Sequence, residues 1–223
     1  LLLLWLLLVA PCVRAQDILV EDFESDSVGT IPARWYGLSG RDLVPIAPSM
    51  REEGEYYAVM SDGHGKYLKL RTRNESLRLV IPNASTFDWD ITRMPELSWR
   101  WRPVTLPDGG DEIHRDDTAG AVYVTFYFDW LRRPRSIKYT HSTTLPVGTV
   151  VDRGVLQVVV VSSGAVPGND WLAIERNVLE DYRRLFGKEP PSHPVSIAVW
   201  SDSDTTQSES EIDIDDIRLG SGQ

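Results

Sequence analysis

The chain has 223 residues, 33 acidic against 23 basic, with a net charge of −10 when histidine is neutral and a single cysteine, Cys12. That excess of negative charge disfavours nucleic acid and anionic membrane surfaces; it favours neutral sugars, cations or basic partners, and equally suits a surface that only has to stay soluble. One cysteine permits neither an internal disulfide nor a cysteine-clustered metal site, so stability must come from the core.

The start, LLLLWLLLVAPCVRA, is an apolar run ending in Val13-Arg14-Ala15, a pattern that a signal peptidase reads. The expectation is a signal peptide over 1–15, cleaved after Ala15, and one domain over 16–223. Pro11 stands where a lipoprotein signal wants a small residue before Cys12. The run from Leu1 to Ala10 is short for a membrane span and no second one follows. The expected location is extracytoplasmic, periplasmic or secreted, with no stable membrane insertion.

Past the leader, short runs rich in β-branched and aromatic residues recur between Gly, Pro, Asn and Asp clusters. This predicts an all-β, jelly-roll-like sandwich of two antiparallel sheets. Strands are predicted near 18–24, 56–60, 66–72, 76–81, 96–103, 120–130, 147–151, 154–162, 194–201 and 211–219, and 171–176 also reads as a strand. One helix is predicted over 178–186, with Asn177 as its cap, Glu180 three residues on, and Gly187 before Pro190-Pro191 as its stop. Leu179, Tyr182, Leu185 and Phe186 give it an apolar stripe.

Alternation assigns faces. In LSWRW, Leu97, Trp99 and Trp101 share one side, Ser98, Arg100 and Arg102 the other. In AVYVTFYFDW, Val122, Val124, Phe126 and Phe128 oppose Tyr123, Thr125, Tyr127 and Asp129. In SIAVWSD, Ile197 and Val199 oppose Ser196, Ala198, Trp200 and Asp202. If the second faces line one sheet, Arg100, Tyr123, Tyr127 and Trp200 form a groove in which sugar C–H faces stack on rings and hydroxyls bond at the edges. The other reading is that these rings pack beneath a loop or the helix.

The two ends of the chain are acidic: EDFESDS supplies Asp22 and Glu24, and EIDIDDIRLG supplies Asp213, Asp215 and Asp216. Terminal strands of a sandwich often pair, and acids on both would repel unless a cation, calcium by preference, sat between them. Ile212 and Ile214 fall on even positions, Ile217 and Leu219 on odd ones, which predicts a β-bulge at Asp215-Asp216. Solvated acids guarding an edge strand are the alternative. Asp202 and Asp204 open a second oxygen-rich stretch, but Gln207 stands where a calcium loop of the EF-hand type needs glycine. For catalysis, His114, Asp116 and Asp117 in DEIHRDDTAG offer an acid pair with a histidine, set against a plain turn. No serine elbow, HExxH, P-loop or dinucleotide fingerprint is present, and the histidines lack metal-ligand spacing.

The ordered pieces LSWRWRP, DDTAGAVYVTFYF, LPVGTVV, VVVVSSG, RNVLEDYRRLFGKEPP and WSDSDTTQSESEIDIDDIRL resemble the bacterial exported family known as domain of unknown function 3047. The likeness spans roughly 96–219. It implies an extracytoplasmic β-sandwich without assigned catalytic residues, and points to Trp99, Arg100, Trp101, Asp116, Asp117, Arg183, Phe186, Gly187, Asp202 and Asp204. More loosely, EDFESDSVGTIPARW together with IDIDDIRL is similar to the terminal strands of jelly-roll carbohydrate-binding modules, in which calcium is often held near the termini. The expected function is an exported, non-catalytic glycan-binding domain. The alternatives are a polysaccharide hydrolase or lyase using Asp116, Asp117 and His114, and a structural or interaction protein of the cell envelope.

Overall fold

The structure is a computed structural model that describes residues 17–40 and 42–222; the expected leader, with Cys12, lies outside the described residues. In chain order the strands are β1 (Ile18–Glu21), β2 (Tyr36–Ser39), β3 (Asp42–Pro45), β4 (Glu55–Ser61), β5 (Lys66–Arg73), β6 (Ser76–Pro82), β7 (Glu96–Thr105), β8 (Thr118–Phe128), β9 (Pro134–Ser142), β10 (Val150–Arg153), β11 (Leu156–Ser163), β12 (Leu172–Asn177), β13 (Ser196–Asp202) and β14 (Glu209–Gly220). The helix α1 (Val178–Phe186) lies between β12 and β13.

The strands form a jelly-roll-like sandwich. One sheet runs β12-β7-β14-β5-β4, with β1 also on β14; the other runs β10-β11-β9-β8-β13-β6-β2-β3. The alternation in the sequence explains the layering. Leu97, Trp99 and Trp101 of β7 meet Val122, Val124 and Phe126 of β8 in one core, joined by Ile212 and Ile214 of β14 and Ile197 and Val199 of β13. Each large apolar side chain removed from water contributes about 2 kcal/mol. Gly120 of β8 lets the sheets approach: a Cβ there would lie 2.0 Å from Ile212 Cδ1.

The helix is as the sequence predicts. Asn177 accepts the Glu180 N–H at 3.0 Å, and Gly187 closes the end at φ 65°. Tyr182 is buried on the core, and Leu179, Leu185 and Phe186 pack beside it.

Three strands differ from the prediction: β2, β3 and β9. The first two are short, and Gly37, Ser39 and Pro45 leave them little β signal. In β9, Ile137, Tyr139 and His141 alternate with Ser136, Lys138, Thr140 and Ser142. The polar set hides the alternation, because Lys138, Thr140 and Ser142 are buried against the loop before β8. β9 also pairs with β11 in parallel, Val158 opposite Lys138, so this sheet is not wholly antiparallel. Phe128, expected in the core, is 57% exposed. A bulge between Thr125 and Tyr127 breaks the alternation before it.

Candidate functional site

Register fixes what lies on the outer face of the eight-stranded sheet. Val80, Ala198, Tyr123 and Lys138 are successive cross-strand partners on β6, β13, β8 and β9; Arg78, Trp200, Ala121 and Thr140 form the next row. The small side chains of Ala121 and Ala198 leave room for the two large rings. Tyr123 and Trp200 stack with centroids 5.0 Å apart and planes 23° apart. The Arg78 guanidinium lies 3.6 Å from the Trp200 ring centre and 4.9 Å from that of Tyr123. Lys138 Nζ stands 5.6 and 5.8 Å from the same rings. Cations over π faces are attracted by the ring quadrupole, so the layer is held without a carboxylate at its centre.

Two cavities open on this layer, with Arg78 lining both. The larger, about 430 Å³, has a floor of Val80, Tyr123 and Ala198, and walls that include Leu38 and Leu43 from the β2–β3 hairpin and Phe128 from the end of β8. Thr125 and Ser196 offer hydroxyls, and Arg132 and Arg133 stand at the β8–β9 turn. The smaller, about 270 Å³, lies on the Trp200 side and includes Met50, Glu55 and Tyr57. Arg78 Nε and Trp200 Nε1 are buried and have no hydrogen-bond partner. Burial lowers the Arg78 pKa, with Tyr123 and Asp202 acting against that fall. Burial raises that of Tyr123, opposed by Lys138 and Arg78.

The opposite end of the face is closed. Glu112, fully buried, accepts Thr140 Oγ1 at 2.8 Å and Ser142 Oγ at 2.6 Å, which pins the loop before β8 over β9. Lys138, 1% exposed, donates to the Asp116 carbonyl at 3.4 Å and lies 3.6 Å from its carboxylate. Burial would lower its pKa, yet Tyr123, Asp116, Glu112 and Asp202 together leave it raised.

The sequence-predicted residues divide. Tyr123 and Trp200 lie together as expected. Arg100 does not join them: it is on β7 in the other sheet, where Nη2 donates to Asp215 Oδ2 at 2.5 Å and Nε lies 3.0 Å from Asp216. Tyr127 follows the bulge of β8 and packs at the main core, with its hydroxyl receiving Lys188 Nζ at 2.8 Å. Arg78 and Lys138 are not among the residues that the sequence pattern points to. Arg78 was legible as the polar side of a predicted strand; Lys138 lay in the strand that went unseen.

His114, Asp116 and Asp117 do not converge. His114 is an exposed partner of Asp111 at 3.0 Å, and Asp116 faces Lys138 and Arg153. Asp117 accepts the backbone N–H groups of Thr205 at 3.2 Å and Thr206 at 2.7 Å.

Nor do the terminal acids gather around a common point. Asp22 accepts the Glu24 N–H, and Glu24 accepts the Lys66 N–H at 2.7 Å. The predicted bulge is present: pairing with β7 shifts between Asp215 and Arg218, and Asp216 is left-handed at φ 52°. It turns Asp215 to Arg100, while Asp213 meets Arg102 at 2.8 Å and Lys69 at 3.1 Å. The negative charge of β14 is thus answered by cations on its neighbours β7 and β5.

Among the described residues, Asp117, Asp202 and Asp204 are the one acidic group with the separations of metal ligands, their oxygens within 4.8 Å of one another. The amides on Asp117 already account for its burial. Burial first, and then Asp204 and Asp117 against the pull of Lys138, raise the Asp202 pKa to about 7.

A family model described as "Protein of unknown function (DUF3047)" matches residues 46–218. No curated protein matches the chain in sequence. Among solved structures, the chain is similar to a family 11 carbohydrate-binding module of a cellulosomal cellulase from Clostridium thermocellum, at 12% identity and TM-score 0.47, covering 93% of this chain and 95% of that one. A family 30 module from the same organism gives 10% and 0.49 over 94% and 99%. The first family 27 module of Caldicellulosiruptor saccharolyticus, solved with mannohexaose, gives 12% and 0.44 over 94% and 99%.

Proposed function

Because the chain belongs to the DUF3047 family, whose description names no activity, we propose from its own geometry that it is an exported, non-catalytic glycan-binding domain. The observation that carries this reading is the groove of about 430 Å³ over the Tyr123–Trp200–Arg78 layer. Apolar walls at Leu38, Leu43 and Phe128 suit the C–H faces of sugar rings. Thr125, Ser196 and the Arg78 guanidinium suit their hydroxyls. The absence of catalysis is supported by Asp116, Asp117 and His114 facing different partners. Export is supported by the apolar start of the sequence; among the described residues no helix is long and apolar enough to cross a membrane.

Isothermal titration against a panel of neutral and acidic oligosaccharides tests the reading. Leu43→Ser and Phe128→Ala change exposed walls and leave the core intact, so each is expected to weaken binding about tenfold, a loss of ~1.4 kcal/mol, with unchanged thermal unfolding. Binding that persists unaltered in both variants overturns this site, and no binding across the panel overturns the function.

A further inference from the structure

We infer that the glycan this groove takes carries carboxylate groups, as a uronate-containing polysaccharide does; the inference rests on the glycan-binding reading above and narrows it. The chain has a net charge of −10. Yet Arg78, Arg132 and Arg133 line the larger cavity, and no aspartate or glutamate does. The local charge is thus opposite to that of the whole chain, and in a groove with apolar walls such a charge acts at short range on what enters.

Two of the three arginines are unanswered. Arg133 pairs with Asp129 at 2.8 Å. Arg78 makes no ion pair among the described residues, and its buried Nε has no acceptor. Arg132 also makes no ion pair among the described residues. It holds a left-handed backbone at φ 59°, fixed by its N–H on the Asp129 carbonyl at 2.8 Å, a conformation that glycine adopts more easily. An arginine thus stands at the groove mouth against the backbone preference of that turn position.

Stacking selects the shape of the anion. With its guanidinium held 3.6 Å from the Trp200 ring centre, Arg78 donates in its own plane. A carboxylate is the planar acceptor whose two oxygens match that fork. The smaller cavity beyond Arg78 carries Glu55, so the acidic group belongs on the Tyr123 side.

The test is isothermal titration of the purified chain with oligogalacturonate and oligomannuronate, with the same oligomers after reduction of their carboxyl groups, with cellohexaose and mannohexaose, and with a sulfated oligosaccharide. The acidic oligomers are expected to bind about tenfold or more tightly than their reduced forms, with affinity falling as salt is raised. Arg132→Ser, at the exposed mouth, and Arg78→Met are expected to remove most of that preference. Arg132→Ser keeps the test decisive should Arg78→Met fail to fold. Equal binding of the reduced or neutral oligomers, insensitive to Arg132→Ser, overturns the carboxylate assignment and leaves the glycan-binding reading standing. Preference for the sulfated oligomer over the uronates overturns it too. Absence of binding to every oligomer overturns both.

Discussion

Asp215 and Arg100 are direct cross-strand partners on β14 and β7, and two guanidinium nitrogens of Arg100 donate to the single oxygen Oδ2, at 2.5 and 3.1 Å. Burial still raises the Asp215 pKa to about 6 against the pull of Arg100. The pair therefore holds an acid that the fold has largely removed from water. Its neighbour Asp213 is flanked by Arg102 and Lys69.

Removing Asp213 takes the buried carboxylate from two cations, Arg102 and Lys69, that keep only Asp62 and Glu211. Asp213→Ala is expected to cost about 2 kcal/mol in urea unfolding, because the charged hydrogen bonds from Arg102 and the ion pair with Lys69 are lost. Asp216→Ala, at a site 35% exposed, is expected to cost less than about 1 kcal/mol. Both losses should be equal in EDTA and in millimolar calcium, because the partners belong to the chain. A loss that calcium alone reverses would return the terminal acids to a shared cation.

Stability has two opposing pH dependences. Asp202 has a folded pKa of about 7, above its ordinary 3.8. The native state holds the extra proton between these values, so this contribution is full below pH 3.8 and is lost as pH rises through about 7. His141 is buried between Ser162 and the Gly164 carbonyl, and burial lowers its pKa to about 4. Its contribution is present above 6.5 and is lost as pH falls towards about 4. The two windows overlap between about 4 and 6.5, so relative to the parent, urea midpoints there should slope more upward with rising pH in Asp202→Asn and more downward in His141→Gln. Parallel curves for all three proteins would contradict both assignments.

Lys138 is the buried cation beneath the ring layer. Lys138→Met removes the charge that Asp116 and Asp202 face, while Asp116 keeps Arg153, so an expected cost of about 1–2 kcal/mol follows from the lost charged hydrogen bond. The Asp202 pKa, followed by carboxyl NMR, should rise further. An unchanged value would show that Lys138 does not act on it.

Gly120 sets the distance between the sheets. Gly120→Ala places a methyl group against Ile212 and should cost about 1–3 kcal/mol through overpacking. Ile212→Val in the same chain should recover part of the loss, which unfolding of the double variant measures.

Much of the fold is specified by local signals. The caps of α1, the Leu97–Trp101 alternation and the parity change at Asp215-Asp216 are all dictated by residues within a few positions of one another. β9 escaped because Lys138 and His141 look like loop residues until a second layer, the loop carrying Glu112, covers them. The site shows the same limit. Tyr123 and Trp200 were read as outward, correctly, but alternation does not say which sheet a strand joins, and Arg100 belongs to the other one. Tyr127 was displaced by a bulge, one extra residue that reverses every face after it.

The middle of each sheet is supplied by the last two strands of the described chain. β13 joins β6 to β8, and β14 joins β5 and β1 to β7. As the polypeptide emerges from the ribosome, the hairpins β2–β3, β4–β5 and β8–β9 can close early, but they remain separate pieces with open edges. Such edges pair readily with other chains, and joining partners distant in sequence is slow. A nascent chain halted before Ser196 therefore holds hairpins but no sandwich, and its protection from aggregation has to come from outside itself until β13 and β14 arrive.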